Sequence, residues 1–209
     1  MQTLAMAASC QRCAMPATSP GAPCPHCNGN GRFPFDQIIS LGVYRSPLKN
    51  MIHHAKYSNR WPLAELLAER LFERTDVQHL LMKADCLIPM PLHRRRQVHR
   101  GYNQADVIAR RISSLSKKPV KSPAMRIRDT QTQTVVHSRA AREENVRDAF
   151  VLAKPAMVTG KNIIVIDDVM TTGATMVSLA RTLKAAKPAS ISSLVLAVAD
   201  PKGREFEVI

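Results

Sequence analysis

Aromatic residues and long apolar segments are both scarce in this chain of 209 residues. Phe, Trp and Tyr make up only 4% of the residues, too few for an extended surface that stacks nucleic-acid bases. No apolar run approaches the ~20 residues that a helix needs to cross a bilayer. The segment from Met1 to Ser9 is apolar but short and has no basic residue before it, so it is a poor signal peptide. We therefore expect a cytoplasmic protein without a membrane span.

Acidic residues are also few. Lys and Arg total 30 against 16 Asp and Glu, which gives a formal net charge of +14. A solvated surface does not require such an imbalance, so we expect an anionic partner, either a small phosphorylated ligand, a nucleic acid or both. The contents of 45% hydrophobic and 22% charged residues are ordinary for a globular protein. The length allows one α/β core and a small appendage.

The stretch from Ile163 to Thr175, IIVIDDVMTTGAT, is the most informative part of the sequence. Its four consecutive β-branched apolar residues, 163 to 166, predict a strand that is buried on both faces of a parallel sheet. Asp167 and Asp168 follow at the carboxyl end of this strand, where open α/β sheets bind their ligands. Two carboxylates at this position can accept hydrogen bonds from the vicinal hydroxyl groups of a ligand.

A turn of small hydroxyl residues and one glycine follows the acidic pair and leads into a predicted helix, residues 174 to 186. Backbone N–H groups, hydroxyls and the positive end of a helix dipole together form a cradle for an anion. The predicted cradle consists of Thr171, Thr172, Gly173, Ala174 and Thr175. A sugar 5-phosphate fits this arrangement, with its phosphate in the cradle and its ribose hydroxyls on the two acids.

Two other interpretations of this stretch are weaker. A core strand with a capped helix does not explain paired acids, which gain nothing from folding alone. The magnesium-binding strand of a P-loop ATPase requires a G-x-x-x-x-G-K-[ST] motif, and the sequence has none.

Four of the five cysteines lie close together near the N-terminus. Cys10, Cys13, Cys24 and Cys27 form a C-x2-C-x10-C-x2-C pattern, which predicts a closed, structural tetrahedral zinc site. Two disulfides are the alternative, and a reducing cytoplasm disfavours them. The surrounding prolines leave little regular structure, so we expect this segment to need its metal to fold. We place the boundary of the module after residue 35, with domains 1–35 and 36–209.

A segment rich in arginine lies between a short apolar strand, predicted at 86 to 92, and a helix, predicted at 105 to 115. We interpret this segment as a loop. Its four arginines predict a polyanion site, because each guanidinium group can form two parallel hydrogen bonds to phosphate oxygens. A basic solvated loop is the plainer alternative. The arginines are Arg94, Arg95, Arg96 and Arg100.

The remaining elements complete an α/β pattern. We expect strands at 38–44, 119–128 and 191–198, a helix at 46–56, and one helix or two, with a break near Asp76, over 62–82. The polar segment 129–134 is predicted to order only with a ligand. A helix at 138–147 carries Arg139, Arg142 and Asn145 near one face, which either is solvated or reaches a polyanion. The alternation of strands and helices predicts a mainly parallel sheet.

The string VIDDVMTTGAT resembles the phosphoribosyl pyrophosphate (PRPP) motif of type I phosphoribosyltransferases. The whole chain is similar to the ComF/GntX family of competence proteins within that superfamily. Four features carry this similarity in order: the four cysteines, PMPLHRRRQVHRGYNQA, TQTQT with the following REENVRDAF, and VIDDVMTTGAT. The implied fold is type I phosphoribosyltransferase-like, a mainly parallel sheet flanked by helices with a small N-terminal zinc module of four cysteines.

The resemblance also implies roles for the residues named above. Asp167 and Asp168 contact the ribose, the Thr171–Thr175 turn holds the 5-phosphate, and the segment 94–100, with Arg100, meets the pyrophosphate. Residues 130 to 134 take the place of the mobile catalytic loop, and Mg2+ accompanies PRPP. The family is associated with DNA uptake, so single-stranded DNA and other DNA-uptake or recombination proteins are expected partners, and the high charge favours contact through backbone phosphates.

Two functions remain open at this point. One is a PRPP-binding competence protein that contacts DNA and uses the fold as a sensor or scaffold. The other is an active phosphoribosyltransferase of nucleotide metabolism or DNA utilisation without direct DNA contact. The intact motif supports PRPP binding, whereas no acceptor-binding hood is recognisable in the sequence.

Overall fold

A computed structural model describes residues 9–16, 24, 27, 34–57, 61–130 and 144–199. The six strands of this part are β1 (Gln37–Val43), β2 (Cys86–Pro89), β3 (Ala124–Arg126), β4 (Phe150–Leu152), β5 (Asn162–Met170) and β6 (Ser190–Val198). The helices are α1 (Leu48–Tyr57), α2 (Trp61–Phe72), α3 (Thr75–Lys83), α4 (Arg94–Arg100), α5 (Gln104–Ser116) and α6 (Ala174–Lys184). A short 3-10 turn, Pro155–Met157, precedes β5.

The main sheet contains four strands in the order β1-β6-β5-β2, and every neighbouring pair is parallel. Ile163 and Val165 on β5 belong to one hydrophobic cluster, which includes the buried side chains of α6. Ile164 and Ile166 belong to the other, which includes those of α1, α2 and α5. Because helices cover both faces, residues 163 to 166 of the strand are all apolar rather than alternating with polar residues. The predicted α/β fold is confirmed.

A second, two-stranded sheet lies outside the main one. β3 and β4 pair antiparallel, with Met125 opposite Val151. We predicted one edge strand over 119–128 and no strand at β4. The structure divides that segment: Val120 forms an isolated bridge to Leu87, while only 124–126 form a strand. Pro119 and Pro123 lack the N–H groups that a continuous ladder needs, which explains the division.

The arginine-rich segment is a helix, and our interpretation of it as a loop was wrong. α4 begins after His93 and ends at Gly101, which adopts the left-handed conformation with φ 77°. Arginine is a good helix former, so a run of arginines does not by itself indicate a loop. The break predicted near Asp76 is present between α2 and α3. The segment 131–134 and most of the helix expected at 138–147 lie outside the described residues.

The cysteine segment packs directly against the sheet. The backbone N–H of Ile38 donates to the carbonyl of Gln11 at 2.9 Å. Cys13, Met15 and Cys24 are buried in the same hydrophobic cluster as Ile163. The N-terminal module and the main domain therefore share one core in the described residues, and the boundary after residue 35 stays a prediction. No helix in the described part of the chain is long and apolar enough to span a bilayer.

Candidate functional site

A cleft opens where the carboxyl ends of β2 and β5 meet the first turns of α5 and α6. Parallel sheets bind ligands at this edge because the strand ends and the helix N-termini converge there. The polar and charged side chains along the cleft come from nine elements or turns. They are Tyr44, Lys56, Arg96, Arg100, Asn103, Gln104, Arg126, Asp167, Asp168, Thr171, Thr172 and Thr175.

Both predicted acids line this cleft. β5 continues through them to Met170, so they lie within the strand rather than just after it. The backbone N–H of Asp168 donates to Oδ1 of Asp167 at 2.9 Å, which holds the first carboxylate against the main chain. The strand therefore presents two acceptor groups at fixed positions.

Among the described residues, Lys56 is the cation that forms an ion pair with the acidic pair. Its Nζ lies 2.9 Å from Oδ2 of Asp168, and the two side chains are 19% and 15% exposed. Burial disfavours the ammonium, but the attraction of Asp168 and then of Asp167 outweighs this and raises the pKa of Lys56. The lysine therefore stays charged and neutralises part of the acidic pair.

The other carboxylate, Asp167, has a strongly altered protonation equilibrium. Burial, followed by repulsion from Asp168, raises its pKa from 3.8 to about 7. The N–H of Asp168 and the charges of Lys56 and Arg126 act in the opposite direction but do not overcome those two effects. Asp167 can therefore gain or lose a proton near neutral pH.

The turn between β5 and α6 has the geometry of an anion cradle. Gly173 adopts the left-handed conformation, φ 74° and ψ 3°, immediately before α6. Thr172 is 8% exposed, and its hydroxyl accepts a hydrogen bond from the N–H of Ala174 at 3.4 Å. All five predicted cradle residues, 171 to 175, line the cleft. The first turn of α6 thus lies at the cleft, and a helix N-terminus in such a place offers N–H groups to an anion.

The helical periodicity of α4 divides the four arginines into two pairs. Arg96 and Arg100, four residues apart, lie on the face that lines the cleft. Arg94 and Arg95 are exposed and are not among the residues that line it. The structure therefore brings two of the predicted arginines to the acidic pair and the cradle, and places the other two on the outer surface beside them.

Arg96 also contacts the end of the segment that follows β3. Its Nε lies 3.3 Å from Oδ1 of Asp129, and its Nη2 donates to the carbonyl of Thr130. His93 approaches the same carboxylate oxygen of Asp129, with Nδ1 at 3.7 Å. The first turn of α4 and residues 129 to 130 are thereby joined at the rim of the cleft.

Arg126 is a cleft residue that our sequence analysis missed. It lies on β3 with its guanidinium 5.6 Å from the ring centre of Phe150, and its Nε is buried without a hydrogen-bond partner in the described residues. Burial and the neighbouring charge of Arg96 lower its pKa to about 10, although Asp167 and Asp129 oppose this effect. A bound anion would satisfy the buried N–H and relieve the repulsion between the two guanidinium groups.

Tyr102 and Asn103, between α4 and α5, hold that wall of the cleft in place, and Gln104 begins α5 beside them. The Tyr102 hydroxyl donates to the carbonyl of Ala55. Asn103 donates to the carbonyl of Met90 at 3.0 Å and accepts from the N–H of Ala105 at 3.1 Å. Gln104 is 4% exposed, and its Nε2 has no partner in the described residues. Its free amide donor therefore adds to the polar lining.

Signals for some of these residues were present in the sequence. Arg126 stands two residues after Ala124, so it shares the inward face of a strand, where an unpaired charge indicates a ligand. Lys56 follows the buried Ala55 in the last turn of an amphipathic helix. Its pairing with Asp168 joins distant parts of the sequence and has no local signature.

The four cysteines converge on one point, as predicted. Their sulfur atoms all lie within 4.8 Å of one another. The Sγ atoms of Cys10 and Cys27 are 3.7 Å apart, and those of Cys13 and Cys24 are 3.6 Å apart. Tetrahedral zinc with four thiolates at ~2.3 Å requires roughly 3.8 Å between sulfurs. The cluster can therefore hold zinc, and its four protein ligands leave no open coordination position.

The fifth cysteine is separate from this cluster. Cys86 begins β2 and is 1% exposed. Burial raises the pKa of its thiol, so it stays protonated and unreactive at neutral pH. Its role in the described structure is packing.

Comparison with known proteins places this geometry in a family. Residues 99–208 match the family described as phosphoribosyl transferase domain. The chain is 33% identical over 180 residues to the DNA utilization protein YhgH of Shigella flexneri, covering 83% of this chain and 77% of the relative.

Two relatives named for competence are also similar. Competence protein F of Haemophilus influenzae is 30% identical over 158 residues, covering 72% of this chain and 67% of the relative. Competence protein ComFC of Bacillus subtilis is 34% identical over 111 residues, covering 53% and 43% of the two chains. Together with the site geometry, these matches show that the chain belongs to the ComF family within the type I phosphoribosyltransferase superfamily.

Proposed function

We propose that this protein binds PRPP through a phosphoribosyltransferase-like site and acts in DNA uptake, where it contacts single-stranded DNA. One observation supports the proposed binding of PRPP. The acidic pair, the Thr171–Thr175 turn and two arginines of α4 converge on a single cleft in a chain with a phosphoribosyl transferase domain. Each of these features matches one chemical part of PRPP.

In this proposal the ligand spans the cleft from α6 to α4. The hydroxyls of its ribose donate to Asp167 and Asp168. Its 5-phosphate accepts hydrogen bonds from the first turn of α6 and from the hydroxyls of the turn. Arg96 and Arg100 hold the pyrophosphate, and Arg126 adds a third guanidinium that the sequence analysis did not include. A Mg2+ ion bound to PRPP would neutralise part of the pyrophosphate charge, which leaves the rest to the arginines.

The DNA role is supported by the relatives and by the surface next to the cleft. Three similar proteins are named for DNA utilization or competence. The chain carries a net charge of +14, and Arg94 and Arg95 project from the outer face of α4. Side chains of this kind bind backbone phosphates without reading sequence. We propose that the cysteine cluster holds a structural zinc ion and that the protein acts in the cytoplasm, with other DNA-uptake or recombination proteins as partners.

The alternative is an active phosphoribosyltransferase without direct DNA contact. In that reaction a nucleophile forms a bond to C1 of the ribose, the bond from C1 to the pyrophosphate oxygen breaks, and pyrophosphate leaves with the electron pair. Arginines at the pyrophosphate stabilise the charge that develops on the leaving group. The intact acidic pair and cradle favour this alternative as much as they favour binding alone.

The decisive experiment is calorimetric titration of PRPP with Mg2+ into the zinc-loaded protein, with and without a single-stranded oligonucleotide, with pyrophosphate release measured in parallel. Micromolar PRPP binding supports the proposal. Release only in the presence of DNA identifies DNA, or a group that accompanies it, as the acceptor, and binding without release supports a sensor. Absence of PRPP binding overturns the proposed ligand.

A double variant and a matched control variant test whether PRPP binds in this cleft. Asp167→Asn combined with Thr172→Ala removes an acceptor and a cradle hydroxyl while leaving the Lys56–Asp168 ion pair intact, so PRPP affinity should fall at least ~100-fold. The control is Thr182→Ala, on the same helix α6, where the hydroxyl bonds only the carbonyl of Ser178 among the described contacts. Equal PRPP affinity in the two variants would contradict the assignment.

A further inference from the structure

Lys56 reaches the cleft from a part of the fold that none of the motifs covers. α1 follows β1, at the opposite edge of the sheet from β2, and Lys56 lies in its last turn. Its ammonium group is 2.9 Å from Asp168 Oδ2, and both side chains are more than four-fifths buried. An ion pair with this degree of burial differs from a mobile pair on the surface, whose contribution is small.

The backbone around Lys56 is fixed from two sides. Leu48, Ile52 and Ala55 bury the inner face of α1 in the hydrophobic cluster of the sheet. The hydroxyl of Tyr102, which lies between α4 and α5, donates to the carbonyl of Ala55. The ammonium group is therefore delivered to Asp168 by a helix anchored both to the core and to the opposite wall of the cleft.

This placement matters because two adjacent carboxylates in a cleft otherwise favour a divalent cation. Mg2+ and Mn2+ prefer hard oxygen ligands such as these. The lysine occupies Oδ2 of Asp168 and places a positive charge beside Asp167. A metal ion approaching the pair would have to displace that ammonium and would be repelled by it.

We propose that Lys56 is a specificity-determining residue that keeps divalent cations off the Asp167–Asp168 pair and reserves both carboxylates for hydroxyl groups. Metal then enters the cleft only on a phosphorylated ligand. The identification of the hydroxyls as those of a ribose rests on the proposed function, whereas the exclusion of metal does not.

The test uses Mn2+ alone as the probe, with the full-length zinc-loaded protein and no PRPP. Mn2+ competes poorly for thiolate sites, so the cysteine cluster does not interfere. We expect no specific Mn2+ binding by the unsubstituted protein. Lys56→Gln should gain one Mn2+ site, with affinity at least ~10-fold above the nonspecific Mn2+ binding of the unsubstituted protein, because the counter-ion is gone.

Three further variants localise the effect. Lys56→Arg keeps the charge and should resemble the unsubstituted protein. Lys49→Gln, at an exposed position of the same helix, removes one charge without touching the cleft and should also leave Mn2+ binding unchanged. Lys56→Gln combined with Asp168→Asn should lose the acquired site, which places it on the acidic pair.

Specific Mn2+ binding to the unsubstituted protein that Asp168→Asn abolishes would overturn the proposal, and this measurement does not depend on the folding of any Lys56 variant. An unchanged Mn2+ affinity in folded Lys56→Gln would overturn it as well. The PRPP titration is read separately. If Mn2+ follows the expected pattern and PRPP does not bind, the lysine has the proposed role and the proposed ligand is wrong.

Discussion

At the scale of single residues, the charge in the cleft is unbalanced. Among the described residues, the cations that line it are Lys56, Arg96, Arg100 and Arg126, and the acids are Asp167 and Asp168. Lys56 already pairs with one acid. The guanidinium of Arg126 is held near that of Arg96, which contributes to lowering its pKa. Like charges brought together in a partly buried site are destabilising unless an anion joins them, so the arrangement favours a polyanionic ligand.

Asp167 should make the stability of the ligand-free protein depend on pH. Its folded-state pKa of about 7 lies above the ordinary 3.8, so the folded protein favours the protonated form. The corresponding stability is fully present below pH 4 and is lost as the pH rises through 7. With 1.36 kcal/mol for each pKa unit, the loss is at most roughly 4 kcal/mol.

Urea unfolding at pH 5, 6, 7 and 8 of the unsubstituted protein and of Asp167→Asn measures this effect. Asn mimics the protonated acid, so the difference in free energy of unfolding between the two proteins should be smallest at pH 5 and should widen as the pH rises to about 7. At pH 8 the variant should be the more stable of the two. A constant difference between the two curves over this range would show that Asp167 titrates normally.

The cleft residues that were found only in the structure were missed for one physical reason. Asp167 and Asp168 were predicted because an apolar strand precedes them in the sequence, so the signal is local. Lys56 and Arg126 reach the same cleft from α1 and β3, and only the folding of the chain brings them there. Their roles depend on contacts between distant segments. Lys56 has no local signature, and the alternation at Arg126 indicates an inward-facing charge but not its neighbours.

At the scale of elements, α4 places its four arginines on two different faces. Our loop interpretation assigned all four arginines to one anion site. The helix instead turns Arg96 and Arg100 inward and leaves Arg94 and Arg95 exposed, and Val98, with 84% of its surface exposed, confirms that the outer face is open. The segment has no apolar stripe that would have indicated a helix.

Paired variants of α4 should therefore separate ligand binding from DNA binding. Arg96→Gln with Arg100→Gln should lower PRPP affinity at least ~10-fold, because hydrogen bonds to charged groups are removed. Arg94→Gln with Arg95→Gln should leave PRPP affinity unchanged and weaken binding of single-stranded DNA. In that variant the slope of log affinity against log salt should fall by roughly 0.7 for each DNA phosphate that the protein no longer neutralises.

Calorimetry for PRPP and fluorescence anisotropy for the oligonucleotide, at several salt concentrations, make this comparison. The two double variants carry the same change in charge, so each serves as the control for the other. Equal losses of both affinities in both variants would mean that the net charge of α4, and not the orientation of its side chains, determines binding.

At the scale of the whole molecule, the cysteine segment and the sheet share one hydrophobic core in the described residues. The alternation of strands and helices was sufficient to predict the parallel sheet, and the C-x2-C spacing was sufficient to predict the cluster. The packing between them was not predictable, because the sequence between the cysteines and β1 has no regular pattern. Cys13, Met15 and Cys24 are buried in the same cluster as β5.

Removal of zinc should therefore destabilise the entire chain and not only its N-terminal segment. Chelation should release one zinc ion per chain and lower the melting temperature of the single calorimetric transition. Cys24→Ala should lose zinc and show the same shift. Cys86 is also a buried thiol but is not one of the four clustered cysteines, so Cys86→Ala should retain zinc.

Two disulfides in protein purified under reducing conditions would contradict the zinc assignment. A separate small transition for residues before 36, with the main transition unchanged, would contradict the shared core.

The order of strands in the main sheet has a consequence for the synthesis of this protein. β6 is the last strand of the described chain, yet it lies between β1 and β5 and is the only hydrogen-bonded neighbour of β1 in the described sheet. On the ribosome, β1 and the helix that carries Lys56 are made early and remain without their partner until β6 has left the exit tunnel. Until then the nascent chain exposes a strand edge and apolar surface, a state that chaperones bind. The cleft is assembled only once nearly the whole described chain has been translated.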